Sequence, residues 1–203
     1  MIEQATNESL SANFVTAKKS RPSGFTVWFT GLPAAGKSTL AQLLRDRLDD
    51  IYDGYVEILD GDEIRKGLSK DLGLSKEDRE EHARRVSYVA KVLSRNGVVA
   101  IVALISPYRK SREFAKELIG ADRFVEVFVK ASLETCRRRD PKGLYAKAEK
   151  GEITNLTGLQ EPYEEPLNPD VVLDTERFGP NECVEQLVSY LLKKGLLSRA
   201  YTV

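Results

Sequence analysis

The sequence predicts an α/β protein with a doubly wound, mostly parallel sheet of five strands. Five short apolar segments, rich in β-branched and aromatic residues, alternate with segments of helical periodicity, which is typical of a parallel sheet covered by helices. One of them, 98–105 (VVAIVALI), is apolar throughout, as expected for a central strand that is buried on both faces. A glycine-rich loop joins the first predicted strand to the first predicted helix, and this loop is where the functional argument begins.

The first predicted unit is a strand, a loop and a helix over residues 25–40 (FTVWFTGLPAAGKSTL). In the loop, Gly31 and Gly36 permit the backbone turns that aim successive N–H groups inward at an anion. Lys37 can reach the β- and γ-phosphates of a nucleotide, and the Ser38 hydroxyl can bind Mg²⁺. We therefore predict a P-loop NTPase fold; the alternative is a glycine-rich turn with an exposed lysine.

Composition limits the classes to which the chain can belong. Its 203 residues, 41% of them hydrophobic, suffice for one domain with a core. Lys plus Arg and Asp plus Glu each number 31, so the net charge is zero and implies no general attraction to nucleic acid or anionic membranes. The two cysteines, Cys136 and Cys183, lie far apart in helical patterns, which favours a reducing compartment over a disulfide framework or a zinc site. With no visible signal peptide or membrane-length apolar run, we expect a cytoplasmic protein.

Two carboxylates follow the second predicted strand, residues 55–60, which ends at Gly61. Ligands of an open α/β sheet bind beyond the carboxyl ends of its strands. Asp60 and Asp62 should therefore face the same crevice as Lys37. The alternative is an ordinary turn in which Asp62 is only the N-cap of a helix.

A long helix is predicted from its N-cap Ser75 to about Asn96, with Gly97 as its stop. Arg79 and His82 lie three residues apart, so their side chains should point in the same direction. One interpretation is that this pair binds phosphate. The other is that both side chains lie at the surface, because an exposed arginine is usually solvated and a lone histidine is more often a surface residue than a ligand. The apolar positions that follow should form one buried stripe: Val86, Val89, Ala90, Val92 and Leu93.

The apolar segment 98–105 should lie next to the phosphate-loop strand. Ser106 and Pro107, which end it, suit the N-cap and the first position of a helix that ends at Gly120, and capping alone would explain the pair. The later predicted elements are a strand over 124–129, a helix from the N-cap Ser132 to Arg139, a strand over 171–173 and a helix over 183–192.

Residues 140–169 break the alternation, because they are rich in Lys, Glu, Gly and Pro and poor in apolar periodicity. A long irregular segment inside a compact domain is usually either disordered or an active-site lid, and the tyrosine and lysine content favours a lid. We thus expect a polar N-terminal arm over 1–24 and a P-loop kinase domain over 25–203, with its lid at about 140–169.

Several of these segments together resemble one known family, the adenylylsulfate kinases. Its members are P-loop kinases that use MgATP to phosphorylate the 3′-hydroxyl of adenosine 5′-phosphosulfate. The resemblance covers about residues 24–192, and the joint occurrence of its motifs in order is highly specific. The motifs are 31–39 (GLPAAGKST), 59–65 (LDGDEIR), Asp78-Arg79, Arg84-Arg85, 105–107 (ISP), 139–145 (RDPKGLY), Thr157-Gly158 and 162–164 (PYE).

The resemblance implies a role for each matching position. Lys37, Asp62 and Ser106 would be catalytic, with Asp62 assisting deprotonation of the attacking hydroxyl and contacting through water the Mg²⁺ that Ser38 binds. The implied ATP-binding residues are Gly31, Leu32, Pro33, Ala34, Ala35, Gly36, Lys37, Ser38, Thr39, Arg139 and Thr175. The implied acceptor-binding residues are Asp60, Asp62, Arg65, Leu74, Arg79, His82, Ile105, Ser106, Lys142, Leu156, Gly158 and Leu159. Family members are commonly dimers, so we expect a homodimer whose partners are ATP and adenylyl sulfate, without nucleic acid or membrane.

Ser106 is recorded in some descriptions of the family as a phosphoserine intermediate. Direct in-line transfer needs no enzyme nucleophile, and no general base is evident beside Ser106 in the sequence. We therefore expect Ser106 to position the substrate rather than to carry the phosphoryl group.

The sequence departs from the family at three positions. His82 stands where the family usually has Asn, which keeps a hydrogen-bonding group and adds pH sensitivity. Leu74 and Leu156 stand where the family usually has two Phe residues that sandwich the substrate adenine, so weaker binding of adenylyl sulfate is expected. A kinase for another nucleotide-like acceptor is therefore the alternative function. A second alternative function is a regulatory nucleotide switch. The only segment that resembles a guanine-binding motif, 75–78 (SKED), does not follow a strand, which argues against this alternative.

Overall fold

The computed structural model describes residues 24–198, in which it contains five strands and seven helices. Of the predicted N-terminal arm, 1–24, all but Gly24 lies outside the described residues. The elements in chain order are β1 Thr26–Thr30, α1 Lys37–Asp49, β2 Tyr55–Asp60, α2 Gly61–Lys66, α3 Lys76–Arg95, β3 Val98–Ala103, α4 Arg109–Ile119, β4 Phe124–Lys130, α5 Leu133–Arg139, α6 Leu144–Glu149, β5 Val171–Asp174 and α7 Pro180–Lys193.

The five strands form one parallel sheet in the order β2-β3-β1-β4-β5. β1 lies at its centre, where Val27 pairs with Ile101 of β3 on one side and with Val125 of β4 on the other. The chain runs to β2 and β3 on one side and then to β4 and β5 on the other, so the crevice where ligands of such sheets bind falls at the end of β1. The predicted five-stranded parallel sheet, with the apolar strand beside the phosphate-loop strand, is confirmed.

Helices cover both faces of the sheet, as the doubly wound prediction requires. On one face, α1 packs on β1 through side chains that include Leu44 and Val27, and α7 packs on β5 and on α1. On the other face, α3 and α4 pack on Trp28 and its neighbours, with Val86 among the contacts. Side chains alternate along a strand, so Val27 and Trp28 enter different core layers although they are adjacent in sequence. Full burial of each such side chain contributes roughly 1.5–3 kcal/mol to stability.

Helix α3 begins where the sequence predicts, since the Ser75 hydroxyl accepts the backbone N–H of Asp78 at 3.1 Å. The predicted buried stripe is wrong at Val92, which is 47% exposed. At 100° per residue, Val92 is rotated by roughly a third of a turn from the line of Val86 and Ala90, so it falls on the solvent side. No helix in the described range, α3 included, has both the length and the apolar character needed to cross a bilayer.

The capping role expected for Ser106 and Pro107 is wrong. Helix α4 begins at Arg109 with Tyr108 as its N-cap, and the side chain of Tyr108 makes no capping bond. The carboxylate of Glu164 instead accepts the backbone N–H of Arg109 at 2.8 Å. Ser106 has φ 37°, in the left-handed region, whereas an N-cap residue has an extended backbone. Its hydroxyl instead accepts the indole N–H of Trp28 at 3.0 Å, so a contact from the sheet decides its conformation.

The segment predicted to be irregular, 140–169, contains the helix α6, Leu144–Glu149. Tyr145 in this helix is 1% exposed and donates its hydroxyl to the carbonyl of Pro33 at 3.1 Å. The start of the predicted lid is thereby attached to the phosphate loop. Strand β3 ends at Ala103, two residues before the predicted end, and α7 begins at Pro180 rather than at 183.

Candidate active site

A cavity of about 720 Å³ lies at the carboxyl ends of β1, β2 and β3. The first helical turn of α1 and the phosphate loop form one wall, and the starts of α2 and α3 form the opposite part. Its lining falls in six stretches of chain: 33–40, 60–65, 79–83, 103–107, 139–144 and 175–180. The geometry thus brings together the loop, the carboxylates and the arginines that the sequence singled out separately.

The phosphate loop holds Lys37 in place through its own carbonyls. The Lys37 ammonium donates to the carbonyl oxygens of Gly31 at 2.9 Å and Leu32 at 2.7 Å, and the residue is only 9% exposed. Burial lowers the pKa of Lys37 to about 8. A side chain on Gly31 would place its Cβ 2.4 Å from the carbonyl oxygen of Val129, so the loop can pass β4 only with glycine here.

Two carboxylates lie on the far side of the loop, and they have different structural roles. Asp60 accepts the hydroxyl of Ser38 at 2.7 Å and the backbone N–H of Asp62 at 2.9 Å, so it is Asp60 that caps α2. The alternative in which Asp62 is the cap is therefore wrong. The Asp62 carboxylate instead pairs with the ammonium of Lys142, and this hydrogen bond raises the pKa of Lys142.

A basic region closes the other end of the cavity. Arg65 donates to the carbonyls of Leu72 and Gly73 at 3.2 and 2.8 Å. Arg79, 7% exposed, donates to the carbonyls of Leu74 at 3.0 Å and Asn155 at 2.8 Å. Neither guanidinium forms an ion pair with a carboxylate among residues 24–198. Burial lowers the pKa of both arginines, and Arg65 further lowers that of Arg79, which identifies a place where positive charge is unneutralised.

His82 lies in this basic region, one turn after Arg79, and lines the cavity. The surface position expected of a lone histidine is wrong, because His82 is 5% exposed. It is buried because α3 turns this part of its surface towards the sheet, as the burial of its neighbour Ala83 also indicates.

Ser106 lies at the end of β3 and its hydroxyl is directed into the protein. It accepts the Trp28 indole N–H, and its carbonyl accepts the guanidinium of Arg112 at 2.6 Å. In the described part of the chain, no carboxylate or imidazole hydrogen-bonds to its hydroxyl. A serine nucleophile needs an adjacent base, so this arrangement suits a residue that positions the neighbouring backbone.

Arg139 and Thr175 close the end of the cavity that lies beside the phosphate loop. Arg139 donates to the hydroxyl and the carbonyl of Thr175 at 2.9 and 2.6 Å, and the Thr175 hydroxyl donates to the carbonyl of Ala35 at 3.0 Å. Sequence reasoning missed Phe178, Gly179 and Pro180, which also line the cavity here. Phe178 is 38% exposed, and the guanidinium of Arg177 lies over its ring, 5.9 Å from the centroid. The available signal was an aromatic residue in the short turn after the last predicted strand.

Four predicted acceptor-binding residues do not line the cavity: Leu74, Leu156, Gly158 and Leu159. Leu74 is 41% exposed, whereas Leu156 is 5% exposed and packs in the larger core cluster. Gly158 lies against the phosphate loop, since a Cβ there would be 2.5 Å from Leu32. Ile105, Ser106, Asp60, Asp62, Arg65, Arg79, His82 and Lys142 do line the cavity together.

A parallel sheet with a phosphate loop at the start of α1, carboxylates at the end of β2 and a basic region opposite defines a P-loop kinase. A family model described as adenylylsulphate kinase matches residues 23–174. The chain belongs to the adenylylsulfate kinase family.

Individual relatives and a solved structure agree with this. The chain is 55% identical over 175 residues to a probable adenylyl-sulfate kinase of Pyrococcus abyssi, covering 86% of this chain and 98% of that protein. It is 49% identical over 175 residues to the adenylyl-sulfate kinase of Halothermothrix orenii, covering 86% of this chain and 93% of that protein. The APS kinase CysC of Mycobacterium tuberculosis, solved in complex with AMPPNP and APS, superposes with a TM-score of 0.80 at 44% identity, covering 84% of this chain and 99% of that one.

Proposed function

We propose that this protein transfers the γ-phosphoryl group of ATP to the 3′-hydroxyl of adenylyl sulfate, giving 3′-phosphoadenylyl sulfate and ADP. The observation that carries the proposal is a single cavity with two anion-binding ends and a carboxylate between them. Lys37 and the phosphate loop form one end, Arg65 and Arg79 form the other, and Asp62 lies in the wall between. A donor and an acceptor that are both anionic fit such a cavity.

At the donor end, the backbone of the phosphate loop cradles the ATP phosphates and Lys37 neutralises charge on the transferring group. Arg139 and Thr175, fixed to the carbonyl of Ala35, bracket the adenine together with Phe178. The residues assigned to ATP are Gly31, Leu32, Pro33, Ala34, Ala35, Gly36, Lys37, Ser38, Thr39, Arg139 and Thr175.

Magnesium fits the donor end because Ser38 and Asp60 bring a hydroxyl and a carboxylate together at 2.7 Å. Mg²⁺ in kinases is usually held by one or two carboxylates together with substrate phosphates. Ser38 would hold the ion, with Asp62 reached through water, and the ion when bound neutralises phosphate charge.

At the acceptor end, Arg65, Arg79 and Lys142 hold the phosphosulfate anion, while Ile105 and Ser106 line the same region. Asp62 orients the 3′-hydroxyl and accepts its proton. Its contact with the Lys142 ammonium holds the carboxylate in the wall of the cavity. Leu74, Leu156, Gly158 and Leu159 are assigned to the same substrate on the family resemblance alone.

The chemistry needs no covalent enzyme intermediate. In-line phosphoryl transfer is accelerated chiefly by positioning and charge neutralisation, and the residues around the cavity supply both. We assign Ser106 a positioning role in the reaction.

Segment 140–169 acts as a lid in this proposal, because its Lys142 reaches Asp62 and its Tyr145 reaches the phosphate loop. It belongs to a P-loop kinase domain over 25–203, preceded by an arm over 1–24. We further propose that the enzyme is a cytoplasmic homodimer, as family members commonly are.

The test is a coupled assay of ADP release with adenylyl sulfate, with other nucleotides and with no acceptor. We expect release to require adenylyl sulfate, and Lys37→Ala to abolish it while leaving the circular dichroism spectrum unchanged. If another nucleotide gave a higher kcat/KM than adenylyl sulfate, that nucleotide would be the acceptor instead. Equal ADP release without any acceptor would contradict the kinase assignment.

A further inference from the structure

His82 has no partner for either of its ring nitrogens, although it is buried at the acceptor end of the cavity. The residue is 5% exposed, and among residues 24–198 neither Nδ1 nor Nε2 has a hydrogen-bond partner. Buried polar side chains are nearly always paired. An unpaired imidazole in the lining of a cavity therefore points to a ligand that the chain itself does not supply.

Four charged groups surround the imidazole. Arg79 and Arg85 come from its own helix, and Asp62 and Arg65 come from α2, which packs beside it. Three of the four are cations, so the field at His82 favours an anion.

The contacts of these groups leave the positive charge in excess. Asp62 is paired with Lys142 of the segment 140–169. Arg85 is paired with Asp71 and Glu81, outside the cavity. Nε2 lies 3.7 Å from where a Cβ on Gly61 would be, so it is at the carboxyl end of β2, beside the start of α2.

We propose that His82 donates a ring N–H to an oxyanion of the acceptor substrate and takes up a proton when that anion binds. The inference rests on the proposed function, in which the anion is the phosphosulfate group of adenylyl sulfate. Burial and the nearby arginines lower the pKa of His82 to about 4, so the ring is neutral near pH 7 when only protein groups surround it. A bound anion adds an opposite charge and a hydrogen-bond acceptor, and both favour the imidazolium form.

The consequence is an affinity that depends on pH. Binding that takes up a proton weakens as the pH rises, by about tenfold per unit between the pKa of the free protein and that of the complex. Above the pKa of the complex the affinity becomes constant. The asparagine usual in the family can donate a hydrogen bond here but cannot take up a proton.

The imidazole can be observed directly, because the sequence contains one histidine. In untagged protein, the imidazole NMR signals therefore belong to His82 without assignment. We would titrate them with pH in the free protein, with MgADP, and with MgADP plus saturating adenylyl sulfate. We expect the ring to titrate well below its ordinary pKa of about 6.5 with or without MgADP, and adenylyl sulfate to raise that pKa by at least about 2.7 units, which a fivefold change in affinity between pH 6 and pH 8 requires. An unchanged titration on adding adenylyl sulfate would overturn the inference.

Two variants separate binding from a structural role. In the wild type, the KM for adenylyl sulfate should rise at least about fivefold from pH 6 to pH 8, and in His82→Asn by less than about twofold. His82→Leu, which removes both nitrogens, should raise this KM about tenfold or more at pH 6 while the KM for ATP stays within about twofold. A His82→Asn enzyme that keeps the wild-type pH profile, or equal losses for both substrates, would contradict the inference.

Failure of this inference is distinguishable from failure of the proposed function. If adenylyl sulfate raises the pKa of His82 but is not phosphorylated, the reaction is wrong and the His82 assignment stands. If adenylyl sulfate is phosphorylated while the His82 titration does not move, the reaction stands and the His82 assignment is wrong.

Discussion

At the scale of single residues, Asp62 is a carboxylate whose structural contribution is small. Asp60, not Asp62, caps α2, and the side chains of the Asp62–Lys142 pair are 65% and 57% exposed. Exposed pairs contribute about 0–1 kcal/mol to stability. The main effect of this pair is therefore on the orientation of the Asp62 carboxylate.

Asp62→Asn should lower kcat at least about 100-fold, because the variant cannot accept the hydroxyl proton, with only a modest change in ATP binding. The test is to measure steady-state kinetics and thermal unfolding on the same samples. The free energy of unfolding should change by no more than about 1 kcal/mol. Glu63→Gln is the matched control, since Glu63 is an exposed acid of the same helix that pairs with Lys66. A normal kcat in Asp62→Asn would leave Asp62 with no catalytic role.

Ser106→Ala should keep measurable activity, because its hydroxyl accepts from Trp28 and has no base beside it. Loss of that hydrogen bond leaves a buried indole N–H unpaired and should cost about 1–3 kcal/mol of stability. Mass spectrometry after incubation with MgATP alone should detect no stoichiometric phosphoserine. A phosphorylated Ser106 that passes its group to added adenylyl sulfate would refute direct transfer.

At the scale of elements, the two leucines that replace the family's phenylalanines lie in different surroundings. Leu74 is 41% exposed in the turn before α3, and Leu156 is 5% exposed within the core. An arrangement with an aromatic ring at both positions would therefore require the turn around Leu156 to repack.

Leu74→Phe should be tolerated and should lower the KM for adenylyl sulfate by about 3- to 10-fold, if the ring stacks on the adenine. Leu156→Phe should instead lower the free energy of unfolding by about 1–3 kcal/mol, because it overpacks a buried site. Denaturant unfolding and steady-state kinetics on each single variant distinguish these effects. A stable Leu156→Phe enzyme with improved KM would indicate that the buried position of Leu156 changes when substrate binds.

At the scale of the whole molecule, segment 140–169 connects parts that are distant in sequence. Lys142 contacts α2, Tyr145 contacts the phosphate loop, and the carbonyl of Asn155 accepts from Arg79 on α3. Substrates that bind Arg79 and Asp62 would thus act on groups that also hold this segment.

Hydrogen exchange should detect this coupling. We expect MgADP with adenylyl sulfate to slow exchange both in residues 31–39 and across 140–169, because the proposed lid would close over the ligands. At 100 times the dissociation constant, a ligand should also add about 2.7 kcal/mol to the free energy of unfolding. Protection confined to 31–39 would mean that the segment does not act as a lid.

Local patterns in the sequence predict many of the structural elements of this protein. The phosphate loop depends on residues within eight positions of one another, Gly31 to Ser38, so its spacing alone identifies it. Likewise, the apolar run at 98–105 is long enough to indicate a central strand, which the structure has at Val98–Ala103. Ser75 caps α3 through a bond to Asp78, only three residues away. The order of the family's motifs then indicated the acceptor.

Other features of the site depend on contacts between segments that are distant in the sequence. The hydroxyl of Ser106 accepts a hydrogen bond from Trp28, which lies 78 residues earlier in the chain. Ser106 and Pro107 therefore do not cap a helix, although their sequence is typical of a cap. Burial of His82 depends on how α3 packs at the end of the sheet, and Phe178 reaches the cavity because β5 ends beside the phosphate loop. The physical reason is the sequence distance over which each effect acts. Helix propensity, capping and periodicity act over a few residues. Burial and the hydrogen bonds of a site arise from packing between segments that are far apart in sequence.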